Sequence, residues 1–183
     1  MKSSRTKNSL KNITFSFGYQ ILVLILGFVN RTIFINILGV NYLGISGLFS
    51  DILSMLSLAD LGFGVALTYS MYKPLAENDY KRLAGLTNLY KRVYRIIALA
   101  VTIIGLALVP FLKYLVHLSR PIPNLQLYYI LFLANTVASY LVVYKTSILT
   151  ADQKDYVLSK YRSIFSFFQT VFMTLFLWLT HNY

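Results

Sequence analysis

Three ionisable side chains, Arg31, Asp51 and Asp60, stand inside long apolar stretches of this sequence. A charge at the centre of a membrane-spanning helix costs about 2.5–3.5 kcal/mol on insertion scales, so such a residue faces a partner, a polar cavity or an ion path. Arginine there offers a planar guanidinium that pairs with phosphate or carboxylate oxygens. An aspartate there stays protonated, binds a cation or meets a partner from another chain. Polar neighbours accompany all three. At about 100° per residue, Ser16, Gln20, Gly27 and Arg31 share a narrow arc of one helix, with Asn30 beside them. Gly47, Ser50, Ser54, Ser57, Asp60, Gly64 and Thr68 recur at spacings of three or four along the next stretch, and Asn135, Ser139 and Thr146 repeat the pattern weakly further on. Two readings stay open for these stripes. Small and hydroxyl residues let helices approach closely and bond across a packing seam; alternatively the stripes line a water-filled cavity. Arg31 and Asp51 lie at similar depths from the turn between their stretches, so an ion pair within that hairpin competes with a cavity role for Arg31.

Other chemistry is thin. The absence of cysteine excludes disulfides, thiolate metal sites and a cysteine nucleophile. His117 and His181 fall at loop edges and read as surface residues, and no metal-ligand spacing is present. There is no nucleophile beside a base, no carboxylate pair and no phosphate-cradling glycine loop, since Gly62-Phe63-Gly64 only softens a helix. Neither a catalytic residue nor a cofactor is expected.

The elements that must position Arg31, Asp51 and Asp60 are membrane helices. About twenty consecutive apolar residues span the hydrocarbon core as a helix, the form that satisfies every backbone group without water. Five stretches qualify, over residues 13–38, 42–72, 96–116, 125–149 and 161–179. The 57% apolar composition lies above the roughly 45–50% of soluble domains, and mean hydropathy is +0.61. The fold class expected is therefore all-α, a single polytopic helical domain over residues 1–183. Gly39, Val40 and Asn41 leave room only for a tight hairpin, and Pro121 and Pro123 mark a second turn on the same side. Lys73-Pro74 is expected to end the second helix. Asn78 then caps an amphipathic segment over 78–95, with Glu77 and Lys81 at pairing distance and Leu83, Leu86, Tyr90 and Val93 on its apolar face.

The net charge of +11 raises nucleic acid as a partner, but its distribution argues against it. Lys2, Arg5, Lys7 and Lys11 precede the first stretch; Lys73, Lys81, Arg82, Lys91, Arg92 and Arg95 lie between the second and third; Lys145, Lys154, Lys160 and Arg162 flank the fourth gap. The other two gaps hold only Lys113 and Arg120. Basic residues collect on the cytoplasmic side, which puts the N-terminus in the cytoplasm and Tyr183 outside after five crossings. No signal-peptide pattern precedes the first stretch. The sequon Asn12-Ile13-Thr14 lies at the cytoplasmic edge and reads as coincidence.

The run from Asn36 to Phe49, NILGVNYLGISGLF, is followed by Ser57-Leu58-Ala59-Asp60-Leu61-Gly62-Phe63-Gly64 and then Tyr72-Lys73-Pro74-Leu75-Ala76, with Ala151-Asp152-Gln153-Lys154 after the fourth stretch. These words resemble the start of the bacterial polysaccharide-biosynthesis flippases, within the multidrug, oligosaccharidyl-lipid and polysaccharide exporter superfamily. The resemblance implies a two-lobe transporter of twelve or more helices in the plasma membrane. Such a transporter moves an undecaprenyl-diphosphate-linked oligosaccharide to the outer leaflet for surface polysaccharide biosynthesis. Arg31, with Asn30 and Gln20, would then contact the anionic headgroup, while Asp60 and Asp51 would serve coupling or helix positioning. Membrane lipid is a further partner, as are a polysaccharide polymerase or glycosyltransferases. Five helices would make only an incomplete first lobe, so a fragment, a truncated reading frame or one part of a split transporter, inactive alone, is expected. The alternatives are a cation-coupled drug antiporter of the same superfamily, which Asp60 would serve, and a non-transporting membrane assembly partner.

Overall fold

A computed structural model describes residues 5–57, 63–115 and 122–180, and every described element is helical. The helices are α1 (Arg5–Leu38), α2 (Val40–Ser57), α3 (Phe63–Glu77), α4 (Tyr80–Leu108), α5 (Leu112–Leu115), α6 (Leu125–Ala151) and α7 (Asp155–Thr180). A 3-10 turn, Val109–Phe111, joins α4 to α5 where Pro110 lacks the N–H that would continue the α-helical ladder. Four helical stretches are long and apolar enough to cross a membrane: Asn8–Leu38, Tyr80–Phe111, Leu125–Ala151 and Asp155–Leu179. They identify the chain as an all-α membrane protein. Large apolar side chains such as Leu24 and Phe28 on α1 and Phe172 on α7 are exposed along them, a surface that suits lipid and not water.

Of the five expected spans, the second differs. Its stretch holds α2 and α3, neither of which is among those four; Asp60 lies between them, outside the described residues. Pro74 does not end α3, which runs on to Glu77 with Pro74 buried inside it. The turn that follows also departs from expectation. Asp79, not Asn78, caps α4 by accepting from the Arg82 N–H at 2.9 Å, while Asn78 takes the left-handed conformation at φ 56°. Glu77 pairs backward with Lys73 at 3.9 Å instead of forward with Lys81. The segment 80–95 and the apolar stretch beyond it form one uninterrupted helix, α4.

The chain divides into two compact units, Met1–Gly44 with Asp152–Tyr183, and Ile45–Ala151. In the first, α1 packs on α7. Asn12 meets Gln153 and Tyr156, Ser16 meets Ser159, and Asn30 meets Thr170. Residue numbers rise together on both helices, so α1 and α7 run parallel. Gly39, left-handed at φ 89°, confines the break between α1 and α2 to one residue.

In the second unit α4 is the central element, packed on α3 and α6. The Tyr90 hydroxyl donates to the Leu67 carbonyl at 3.1 Å and bonds the Ser70 hydroxyl, and the Tyr94 hydroxyl lies over Gly64. Tyr94 stacks on Tyr140 with ring centroids 6.4 Å apart, and Gly105 abuts Leu133. In both contacts numbers rise on one helix as they fall on the other. Hence α4 is antiparallel to α3 and to α6, which share a direction. Ile45, Phe49 and Leu53 form the buried face of α2, and Phe49 meets Tyr129 and Phe132 edge-on at 5.2 and 5.7 Å.

Candidate functional site

The polar arc expected on α1 is divided by its contact with α7. Ser16 and Asn30 belong to the seam. Their hydroxyl and amide groups bond Ser159 at 3.3 Å and Thr170 at 3.0 Å. Gln20 and Arg31, further round the helix, are exposed. Arg31 makes no ion pair with any described residue. It stands about 8 Å along the helix from the middle of the stretch 13–38, so its guanidinium emerges within the apolar part of the span. Asn30 donates to Thr170 through its amide nitrogen, but its buried Oδ1 has no hydrogen-bond partner, leaving an acceptor beside Arg31. That oxygen is closed off in the seam, so the exposed Arg31 guanidinium is the group left to meet an anion.

Asp51 is exposed on α2. It belongs to the second unit and Arg31 to the first. The hydroxyls of the α2–α3 stripe turn inward on their own helices: Ser50 bonds the Ser46 carbonyl, Ser57 that of Leu53 and Thr68 that of Gly64. Gly47, Ser50 and Ser54 are exposed, while the packing face of α2 is the apolar row Ile45, Phe49 and Leu53. On α6, Asn135 and Ser139 are exposed as well, and Ser139 and Thr146 bond carbonyls of their own helix. The seam reading therefore suits Ser16 and Asn30 on α1 and Gly64 on α3, which lies under the Tyr94 hydroxyl of α4, whereas Gly47, Ser50 and Ser54 on α2 and Asn135 and Ser139 on α6 are exposed.

Sequence reasoning missed the group that organises the seam. Asn12 donates its amide to the Gln153 carbonyl at 3.0 Å and accepts from the Tyr156 N–H at 2.9 Å, capping α7 from another helix. Lys11 lies over the Tyr156 ring at 5.2 Å and Phe15 tilts against it at 6.2 Å. Gln153 holds φ 56° in the turn, which aims its carbonyl at Asn12. In the same turn Lys154 donates to Asp152, and this hydrogen bond raises the ammonium pKa above its ordinary value. The only sequence signal for Asn12 was its membership of an accidental sequon. Asn12→Ala removes both bonds and is expected to destabilise the chain by about 1–2 kcal/mol, read from unfolding of the purified protein in mixed micelles. Ser16→Ala, which loses one seam bond, is expected to cost about 0.6 kcal/mol in the same assay.

Comparison with protein-family models, with curated proteins and with solved structures finds no match to this chain.

Proposed function

We propose that this chain forms part of a plasma-membrane flippase for a diphosphate-linked oligosaccharide carried on undecaprenyl. The observation that carries the reading is Arg31, an exposed cation without an ion-pair partner among the described residues, held within the apolar length of α1. A lone arginine at that depth is costly unless it meets an anion, and a guanidinium matches diphosphate oxygens in charge and geometry. Gln20, exposed about 16 Å further along α1, extends the same polar line.

The orientation of this reading has a cytoplasmic N-terminus and five crossings. Helix direction supports it. Two helices that run parallel and both cross the membrane must be separated by an odd number of crossings. Between α1 and α7 lie α4 and α6, which are two, so a third is needed, and α2 with α3 is the remaining apolar segment. The direction of α3, opposite to α4 and shared with α6, is the one a second crossing would have. This order also leaves Lys73, Lys81 and Arg82 on the same side as Lys11, as the positive-inside rule requires.

Arg31→Ala introduced at the native locus is expected to lower surface polysaccharide about ten-fold, the loss that follows from one charge-assisted headgroup contact, with the protein still present in the membrane. Arg31→Lys keeps the charge and should restore part of the export. Unchanged polysaccharide at normal protein levels would remove Arg31 from the headgroup role.

A further inference from the structure

The cytoplasm-proximal half of α4 carries a second concentration of charge that the transport reading does not use. From Tyr80 to Leu108 this helix contains Lys81, Arg82, Lys91, Arg92 and Arg95 and no acidic residue. Its buried residues, Tyr90, Tyr94, Ala98, Val101 and Gly105, occupy one face. At about 100° per residue, Lys81, Lys91, Arg92 and Arg95 fall together within an arc of about 100° on the flank that borders that face, with Lys91 nearest to it. Arg92 and Arg95 are exposed, Lys91 is half-buried, and none of the three makes an ion pair with a described residue.

The height of these side chains decides what they meet. Because α4 is continuous, the last apolar stretch and the basic turn share one axis. Arg95 lies about 1.5 Å before Ile96, where that stretch begins, Arg92 about 6 Å and Lys91 about 7.5 Å. The headgroup layer is about 5–8 Å deep on each side of the hydrocarbon core. The three cations therefore stand within the layer of phosphates, on a rigid rod anchored by the tyrosine contacts with α3 and α6. Lys81 lies about 21 Å before Arg95, beyond the headgroups.

We propose that Lys91, Arg92 and Arg95 form a binding site for anionic phospholipid on the surface of α4. Charge complementarity and position select this occupant: three uncompensated cations within about 6 Å along the helix, at phosphate height, with Arg92 and Arg95 exposed and Lys91 half-buried at the edge of the packed face. The long stems lie along the helix and the charged heads reach the phosphate oxygens. This site depends on α4 crossing the membrane and on nothing in the transport reading, so it stands or falls separately from Arg31.

The test uses tryptophan quenching by lipids brominated on their acyl chains. Leu99 is exposed directly below the basic arc, and the native tryptophan, Trp178, lies at the far end of α7. In the full chain carrying Leu99→Trp and Trp178→Phe, quenching in vesicles of phosphatidylcholine and phosphatidylglycerol gives the relative affinity of the two lipids at this flank. Phosphatidylglycerol is expected to be favoured about five-fold. The preference should fall to near unity when Lys91, Arg92 and Arg95 are all changed to Gln, and in about 1 M salt, where the Debye length shrinks to about 3 Å. Arg92→Lys with Arg95→Lys should retain it. Equal quenching by the two lipids in the parent protein, or a preference unchanged by neutralising the three cations, would overturn the proposal. If the triple variant does not insert, Arg95→Gln alone decides: a loss of about two-fold supports the site and an undiminished preference rejects it.

Discussion

Single cysteines placed at Ser9, Asn41, Ala76, Pro123 and Lys154 are expected to react with a membrane-impermeant maleimide from alternating sides of the membrane. The chain has no cysteine of its own, so each reporter stands alone. All five positions are at least partly exposed and lie near helix ends or turns. Added to intact cells, the reagent should modify Asn41→Cys and Pro123→Cys and spare Ser9→Cys, Ala76→Cys and Lys154→Cys until the membrane is permeabilised. A molecule crossing only through α1, α4, α6 and α7 gives another pattern. Its Ala76 and Lys154 positions would label from outside and Pro123 would be protected. The contrast at those three sites is close to all-or-none, and it separates the two arrangements without reference to transport.

The reason to expect the first pattern lies in side-chain pairing and not in hydropathy. Four helices of sufficient length and apolarity, taken alone, would return the chain to its starting side and set α7 against the direction of α1. The bonds Asn12–Tyr156, Ser16–Ser159 and Asn30–Thr170 cannot form between antiparallel helices, because their order along α1 is their order along α7. In the arrangement proposed above, the apolar segment 40–77 supplies the remaining crossing. Within that segment α2 and α3 are 18 and 15 residues long, about 27 and 22 Å, so each is short of a full span but together they exceed one.

Much of this was legible in the sequence, and what was not has a common cause. The fourth stretch, read as 125–149, is α6, Leu125–Ala151, because its polar flanks change abruptly there. The fifth, read from 161, begins at Asp155 instead. Residues 155–160 are too polar to count toward a span, yet a helix needs only its backbone bonds, and Asn12 supplies one from α1. The same reasoning explains α4. Its basic half looks like a separate surface segment by hydropathy, but Tyr90 and Tyr94 pack on α3 and α6 and carry the helix straight into the apolar part. At the candidate site, residue type and spacing grouped Asn30, Arg31 and Gln20 as one polar arc, which the contact with α7 divides. They could not tell which member α7 would cover, since that depends on a contact about 140 residues away in the chain.

Gly105→Leu is expected to cost about 2 kcal/mol, and the mechanism predicts how a second change repairs it. A Cβ at Gly105 would stand 2.5 and 2.8 Å from the two methyl carbons of Leu133, which is itself buried on α6. Overpacking of this kind costs about 1–3 kcal/mol or more, and the better helix propensity of leucine offsets about 1 kcal/mol of it. Leu133→Ala alone should cost about 2–5 kcal/mol by opening a cavity opposite Gly105. In the double variant the new leucine occupies the space the old one left. The combined loss, measured by unfolding in mixed micelles, is then expected to fall short of the sum of the single losses by at least about 1 kcal/mol. Strict additivity would mean that the two positions do not share space, and with it would fall the antiparallel register of α4 on α6. That register sets the height of Tyr94 against Tyr140. Because α4 is continuous, the same glycine contact fixes the height of its basic turn relative to α6.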